Sequence, residues 1–191
     1  MKAILKNDTK VITGKVRLSY ANLFEPKSIN GSEPKYSVSI IIPKSDKQQI
    51  EVIKQAIENA KERDKGKWGG KIPANLKLPL RDGDEERPED EAYANSYFIN
   101  ANSFRPPAVV GTEIDKATGK AIRLGEDEVY SGCYARVSIN FYGFNAAGNK
   151  GIACGLGNVQ KIEDGERLGG GSSAEEDFEF EEVDVDDDFL S

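Results

Sequence analysis

Residues 133–144 read CYARVSINFYGF, and this stretch decides the fold class. Small or apolar side chains occupy every second position from Cys133 to Phe141, and polar or aromatic ones lie between them. An alternation with a period of two is typical of a β-strand that buries one of its faces. The stretch therefore predicts a half-buried strand.

The other face of this predicted strand has an unusual composition. It carries Tyr134, Arg136 and Tyr142 beside a serine and an asparagine, with no acid among them. Aromatic rings next to a guanidinium suit flat, negatively charged partners, and single-stranded nucleic acid is the commonest of these. Cross-strand aromatic packing on an exposed sheet face is the alternative interpretation. This strand alone leaves both open.

Charge is divided unevenly along the chain. The 191 residues carry a net charge of −7, from 33 acidic residues against 26 lysines and arginines. Ten of the acids lie in residues 174–191, which contain no base, so residues 1–173 hold 23 acids against 26 bases and a net charge of +3. A mildly basic body with an acidic tail is an asymmetry that points to nucleic acid.

Several classes of site are excluded by composition. Histidine is absent and no CxxC occurs, which rules out a Cys/His zinc site and histidine-dependent nucleophiles. Cys133 and Cys154 fall in apolar strand patterns, so we expect buried free thiols in a reducing cytoplasm. No signal peptide and no apolar run of the ~20 residues that span a bilayer are evident. We expect no cofactor, no metal and no membrane partner.

The N-terminal third predicts two strands and a helix. In the first strand, over residues 9–20, Tyr20 belongs to the inward set, while Lys15 and Arg17 form a basic outer face. The second strand, 35–42, places Lys35 outside. A helix over about 45–65 is expected, capped by Ser45 with Gln48 three residues later.

Residues 66–91 are expected to be irregular. Trp68 lies between lysines and glycines, and an exposed stacking position is as well supported as a core one. The mostly acidic run 82–91 predicts a solvated loop, because its carboxylates lack regular ligand spacing.

Two further strands follow. In the strand 93–104, the alternation leaves open whether Phe98 and Phe104 or Tyr97 and Ile99 face a binding groove. Residues 150–161 are expected to pair with 133–144 as a hairpin through the NAAGN turn at 145–149. Gly155 and Gly157 are typical of a bend where a small barrel closes.

This element order favours a mainly β protein, an elaborated antiparallel barrel of the OB type with one main helix. OB barrels bind single strands on an open face with stacked aromatics and a basic track. The side chains of these two kinds predicted to bind nucleic acid are Lys15, Arg17, Lys35, Trp68, Phe98, Phe104, Arg105, Tyr134, Arg136, Tyr142 and Lys150.

The C-terminal end differs from the body. The barrel domain is expected to cover residues 1–164, with a flexible linker at 165–173 (GERLGGGSS) and an acidic tail at 174–191 too poor in apolar surface to fold alone. Aromatic and aliphatic residues alternate with the acids. The tail residues expected to dock on a partner are Phe178, Phe180, Asp186, Asp187, Asp188 and Phe189.

The sequence resembles the single-stranded DNA-binding proteins of bacteriophages, a family with an elaborated OB barrel and an acidic tail that ends near a phenylalanine. The stretches that carry the resemblance are KYSVSIIIPKSD (35–46), LPLRDGDEE (78–86), YFINANS (97–103), YSGCYARVSINFYGFN (130–145) and KGIACGLGNVQKIEDGERLGG (150–170). In such tails the aromatic residue is often terminal, whereas here Leu190 and Ser191 follow Phe189.

The resemblance implies sequence-independent binding of single-stranded DNA during phage replication and recombination, in the cytoplasm of the bacterial host. It implies a tail that competes with DNA and recruits replication proteins such as a polymerase, helicase or primase, and a homodimer is a further expectation. The alternative is a phage structural or assembly protein that uses the same aromatic face for protein contacts. A nuclease built on the acids of 82–91 is disfavoured, because no helix or strand is expected to hold them in place.

Overall fold

The structure, a computed structural model, describes residues 1–28, 30–169 and 178–182. Its β-strands are β1 (Ile4–Leu5), β2 (Lys10–Ile12), β3 (Val16–Lys27), β4 (Lys35–Pro43), β5 (Arg81–Asp82), β6 (Ser96–Ser103), β7 (Val109–Ile114), β8 (Ala121–Arg123), β9 (Tyr134–Ala146) and β10 (Asn149–Glu163). Its α-helices are α1 (Lys47–Arg63) and α2 (Gly83–Glu86), with 3₁₀ turns at Lys65–Trp68 and Glu91–Tyr93.

A closed barrel forms the centre of the molecule. Its strands follow the order β9, β3, β4, β6 and β10, and β10 pairs with β9 to complete the circle. The pairing of β6 with β10 is parallel, with Gly155 opposite Asn102, and the other pairings in the circle are antiparallel. The predicted OB-type barrel with one main helix is confirmed.

The barrel interior follows the alternation read from the sequence. On β9, Ala135, Val137, Ile139 and Phe141 are fully or almost fully buried, and Val38, Ile40 and Ile42 of β4 meet them from across the barrel. Helix α1 covers the core with the apolar stripe that begins at Ile50. The period-two alternation therefore fills the barrel interior with one apolar core.

The helix begins one residue later than predicted. Its N-cap is Asp46, whose carboxylate accepts the Gln49 backbone N–H at 3.3 Å and the Gln49 side-chain amide at 3.0 Å. Asp46 therefore replaces Ser45 as the cap, but the reciprocal bond of a capping box is not formed, because the Asp46 backbone N–H donates to the Pro43 carbonyl and Gln49 Oε1 accepts the Gly14 N–H.

The hairpin between β9 and β10 is confirmed. Ala146 pairs with Asn149, and the two residues between them, Ala147 and Gly148, have φ values of 50° and 88°. Two consecutive positive φ angles are typical of the tight turn whose twist matches that of paired strands.

Residues 81–94 form a folded cover, not the solvated loop that their acidity predicts. We call them the cover segment. Tyr93, held there, packs with Ile41 and Phe98 in a small second core on the outer side of β4 and β6. The Tyr93 hydroxyl donates to Ser39 Oγ at 2.8 Å.

The acids of the cover segment stabilise its local structure. Asp82 and Asp84 both pair with Lys44 at 2.8 Å, and Asp90 accepts the Ala92 backbone N–H. Gly83 is required by space, because a Cβ there would lie 2.5 Å from the Tyr93 carbonyl oxygen. Carboxylates that would otherwise repel one another thus act as caps and ion-pair partners.

Trp68 lies in the core and not at an exposed stacking position. Its side chain is 7% exposed, and the indole N–H donates to the Phe144 carbonyl at 2.9 Å. It packs against Gly143, where a Cβ would lie 2.8 Å from the indole ring. Asp64 makes a second link there, because its carboxylate accepts the Gly143 N–H at 2.7 Å.

The first part of the predicted linker lies against the barrel. The Leu168 N–H donates to the Ser131 carbonyl at 2.9 Å, and Arg17 donates to the Glu166 carbonyl at 2.8 Å. The Arg167 guanidinium lies 4.2 Å from the Tyr130 ring centroid. The chain is therefore held up to Gly169, the last described residue before 178.

Both cysteines are buried free thiols, as expected. Within 1–28, 30–169 and 178–182, no helix has the length and apolar character needed to cross a membrane. Across the same ranges, no group of acids and cysteines is placed to hold a metal ion.

Candidate nucleic-acid interface

A groove of about 390 Å³ lies on the outside of β3, β4 and β6, beside the cover segment. We call it the outer groove. Its polar and aromatic lining consists of Tyr20, Asn22, Lys27, Lys35, Ser37, Ser39, Arg87, Asn100 and Asn102, together with Ser32 and Glu33.

Tyr20 stands at the edge of the outer groove because β3 is irregular there. The register against β4 shifts between Ser19 and Asn22, and Tyr20 has a φ of 45°. A positive φ is uncommon outside glycine. The irregularity turns a ring predicted to point inward out to the surface, where it is 57% exposed.

Arg87 reaches the outer groove from the cover segment. Its guanidinium carbon lies 5.1, 5.0 and 5.2 Å from the ring centroids of Tyr20, Tyr93 and Phe98. Its Nε is buried and has no hydrogen-bond partner among the described residues. Aromatic faces therefore surround the guanidinium, which forms no ion pair with any described residue.

The floor of the outer groove is polar. Across β4 and β6, Ser37 pairs with Asn102 and Ser39 pairs with Asn100, so these side chains share one face. The Asn22 amide donates to Ser37 Oγ at 3.3 Å and to the Tyr20 carbonyl at 3.2 Å. Amides and hydroxyls in this arrangement can donate to and accept from the edges of a bound base.

Two of the predicted residues meet at the groove. The Lys35 ammonium lies 4.8 Å from the Phe104 ring centroid, and that ring is 58% exposed. Arg105, the next residue, is also exposed. Lys35 and Lys27 have no ion-pair partner in the part of the chain that the structure describes. This end of the groove therefore combines exposed positive charge with an exposed ring.

The surface continues from the groove toward β9. Gly155 of β10 lies opposite both Asn102 and Asn140, and a Cβ there would lie 3.7 Å from the Tyr142 ring. A glycine here leaves the surface between Asn102 and the half-buried Tyr142 without an intervening side chain. Burial raises the pKa of the Tyr142 phenol, so the ring is neutral at physiological pH.

A second group of predicted residues lies together on β3 and β9, away from the outer groove. Lys15 and Arg17 lie 5.3 and 5.7 Å from the Tyr134 ring centroid. Lys15 pairs with Glu163 at 2.6 Å, which raises the pKa of the lysine, and Arg17 donates to the Gly132 and Glu166 carbonyls. Both side chains therefore bind residues 163–166 of the same chain, which leaves them less available to a phosphate.

Arg136 serves the N-terminal segment. Its Nε donates to the Thr13 carbonyl at 2.8 Å and its Nη2 to the Lys2 carbonyl at 3.2 Å. Lys150 lies at the start of β10, where its carbonyl accepts the Lys77 N–H. Neither residue lines the outer groove.

Phe98, like Trp68, is not available for stacking. The outer side of β6 does carry Phe98, Asn100 and Asn102, while Ile99 and Ala101 face the core. The cover segment closes over Phe98, whose ring meets that of Tyr93 edge-to-face at 5.1 Å and is 1% exposed. The set that contains Phe98 therefore faces outward on β6. Of this set, Asn100 and Asn102 line the outer groove, whereas Phe98 is covered.

The tail residues divide between described and undescribed parts. Phe178 and Phe180 are exposed, at 66% and 65%. Asp186, Asp187, Asp188 and Phe189 lie outside the described residues.

Sequence reasoning missed Tyr20 and Arg87. Tyr20 fits the inward alternation, and only the irregularity in β3 turns it outward. Arg87 is the one base in an otherwise acidic run from Asp82 to Glu91, which was the available signal.

Comparison with known proteins places this geometry in context. The sequence profile of a family described as "Enterobacter phage Enc34, ssDNA-binding protein" matches residues 9–190. A relative named "Putative protein p50", from Acyrthosiphon pisum secondary endosymbiont phage 1, is 32% identical over an alignment of 181 positions that covers 89% of this chain and 92% of the relative.

Solved structures agree with the sequence comparisons. The single-stranded DNA-binding protein from bacteriophage Enc34, in complex with ssDNA, is 26% identical with a TM-score of 0.75, over 88% of this chain and 94% of that one. The single-stranded DNA-binding protein gp2.5 of bacteriophage T7 is 16% identical with a TM-score of 0.56, over 93% and 98% of the two chains, which is a likeness of fold.

Proposed function

The chain belongs to the family of the single-stranded DNA-binding protein of Enterobacter phage Enc34, and from this membership we propose that it binds single-stranded DNA without catalysis, in the outer groove. The observation that carries the placement is the concentration in that groove of an exposed ring, an arginine held by rings and two unneutralised lysines. Rings stack on bases and cations follow the backbone, which is how single strands are bound without regard to sequence.

The proposed role in the phage life cycle rests on the resemblance to phage single-stranded DNA-binding proteins. We propose that the protein acts in phage DNA replication and recombination in the host cytoplasm, and that its acidic tail competes with DNA and recruits replication proteins. A homodimer is part of the proposal, and sedimentation of the full-length protein tests it. Pull-down of host or phage replication proteins with residues 174–191 as bait tests recruitment.

The groove assignment is tested by its lysines. Lys27→Ala with Lys35→Ala should weaken binding to labelled oligo-dT. It should also reduce the slope of log affinity against log salt by about 1.4, because each phosphate contact on a single strand contributes about 0.7.

A matched control removes equal charge elsewhere. Lys47→Ala with Lys54→Ala alters two exposed lysines of α1, neither of which lines the groove. Equal losses in the two double variants would refute the groove as the site. A wild-type protein that does not bind oligo-dT at low salt would refute the function itself and favour the structural alternative.

A further inference from the structure

Arg87 presents hydrogen-bond donors that the described protein does not use. Rings of Tyr20, Tyr93 and Phe98 hold its guanidinium, and its buried Nε has no partner in 1–28, 30–169 and 178–182. A guanidinium carries five N–H donors in a planar fork and no acceptor. A buried donor without an acceptor is unfavourable, so a ligand that brings a carbonyl or phosphate oxygen to it is stabilised.

The floor below Arg87 adds groups that can read a flat polar edge. The side-chain amides of Asn100 and Asn102 form no hydrogen bond with any described residue. Asn22 is different, because its amide is already committed to Ser37 and the Tyr20 carbonyl. Two uncommitted amides on one strand face, below a guanidinium, make a recognition surface and not merely a charged track.

The balance of donors and acceptors distinguishes the bases. Arg87, Lys27 and Lys35 line the groove as donors only, and Glu33 is the acid among its lining residues. Thymine, guanine and cytosine carry ring carbonyl oxygens, whereas adenine offers only ring nitrogens as acceptors. The amides and hydroxyls of the lining both donate and accept, so the three donor-only side chains leave an excess of donors that complements carbonyl-bearing bases.

We infer that the outer groove contains a nucleobase subsite, formed by Arg87, Asn100 and Asn102, that selects bases with ring carbonyl oxygens over adenine. This inference rests on the proposed function and adds to it. Binding along the strand remains tolerant of sequence, and one position carries a preference.

The test compares preferences, not affinities. Fluorescence polarisation is measured with labelled oligo-dT and oligo-dA of equal length. For each protein, the dissociation constant for oligo-dA is divided by that for oligo-dT, so that a larger ratio means a stronger preference for oligo-dT. Adenine tracts resist unstacking whatever protein they meet, but that contribution is the same for every variant. A change in the ratio between variants therefore reports the protein's own discrimination.

The expected result separates charge from geometry. Arg87→Lys keeps the positive charge and loses the planar fork, so the preference for oligo-dT should fall by roughly fivefold or more, the lower end of what a bidentate arginine contact supplies. Arg123→Lys, the same exchange on the exposed β8, should leave the ratio at the wild-type value.

A second variant protects the test against misfolding. Arg87 helps to hold the cover segment, whereas Asn100 is exposed and its side chain supports no described neighbour. Asn100→Ala should lower the same ratio with an unchanged circular dichroism spectrum.

A ratio that falls in either variant but not in Arg123→Lys supports the subsite. Wild-type ratios in both Arg87→Lys and Asn100→Ala overturn it and leave the proposed function intact. Absence of binding to either oligonucleotide by the wild-type protein overturns the proposed function instead.

Discussion

Tyr20 concentrates backbone strain beside the outer groove. Its φ of 45° is of a kind that costs on the order of 1–3 kcal/mol and persists only where neighbours enforce it. Here Ser131 Oγ accepts the Ala21 N–H at 3.0 Å and the Asn22 amide donates to the Tyr20 carbonyl. Such strain is retained most often at functional sites, which is consistent with a ring held ready for a base.

Tyr20→Gly should separate strain from stacking. Without a Cβ the residue adopts a positive φ freely, so the glycine variant should be more stable to urea than Tyr20→Ala by about 1 kcal/mol. Both variants lose the ring and should bind oligo-dT roughly 5- to 150-fold more weakly, since a base–aromatic stack is worth about 1–3 kcal/mol.

Tyr20→Phe is the control for the ring, and its affinity should match that of the wild type. Retention of full affinity by Tyr20→Gly would remove Tyr20 from the site.

At the scale of single residues, the alternation placed Lys35 on the outer side of β4, left the face of Phe98 and Phe104 open, and assigned Tyr20 to the wrong side. The alternation that assigns a strand residue to one face fails at an irregularity, and the irregularity of β3 depends on its pairing with β4. Phe98 lies on the outer side of β6 but is covered by Tyr93 and Arg87, which precede β6 in the chain and fold back over it. The alternation within one strand contains neither effect.

At the scale of elements, the sequence predicts β9, the β9–β10 hairpin and helix α1 correctly. Each depends on hydrophobic periodicity or turn residues that are adjacent in the chain. The sequence does not predict the fold of the cover segment. Its acidity predicts a solvated loop, yet its carboxylates cap short helices and pair with Arg81 and Lys44. The caps and the Arg81 pair are local in sequence, but only the tertiary fold brings Lys44 close.

Asp64 joins the end of α1 to β9, and this link should depend on pH. Hydrogen bonds from Arg63 and from the Gly143 N–H lower the pKa of its carboxyl to about 2, below the value of about 3.9 in an unfolded chain. The depressed pKa means that the stabilisation is complete above pH ~4 and disappears as pH falls through 2.

Asp64→Asn should therefore reduce the free energy of unfolding by about 1–3 kcal/mol near neutral pH, measured by urea denaturation. The difference from wild type should shrink as the pH is lowered from 4 to 2. Glu51→Gln, an exposed acid on the same helix, serves as the matched control and should show no such trend. A difference independent of pH would mean that the carboxylate charge is not what stabilises the junction.

Trp68 should report folding and not DNA. It is the only tryptophan, its side chain is 7% exposed, and its N–H is satisfied by Phe144. Its emission should stay constant through a titration in which labelled oligo-dT confirms saturation, and should shift to longer wavelength on unfolding in urea. Quenching at saturation would bring the β9–β10 end of the barrel back into consideration as a binding surface.

At the scale of the whole molecule, the separation of charge is the feature that sequence alone predicts best. It needs no fold, because it is a count along the chain. The count does not predict where on the surface the unpaired bases lie. Lys15 pairs with Glu163 and Arg17 donates to the Glu166 carbonyl, whereas Lys27 and Lys35 line the outer groove without an ion-pair partner among the described residues.

Deletion of residues 174–191 should tighten DNA binding. It removes ten acids and changes the net charge from −7 to +3, so the gain should be largest at low salt and fade as salt screens the tail. A salt series of polarisation titrations with oligo-dT measures it.

A tail of the same length with all ten acids replaced by their amides controls for bulk. It should reproduce the effect of the deletion if charge is the cause. If the deleted and full-length proteins have the same affinity at every salt concentration, the proposed competition is refuted.

The attachment of the chain at Leu168 determines where the acidic tail begins. Leu168 and Gly169 line a cavity together with Tyr20, Asn22 and Lys27, three residues that also line the outer groove. Whatever follows Gly169 starts beside the groove, at an effective local concentration that short tethers bring to the millimolar range. The proposed competition is therefore intramolecular, so diluting the protein leaves it unchanged, whereas more DNA, higher salt or capture of the tail by another protein relieves it.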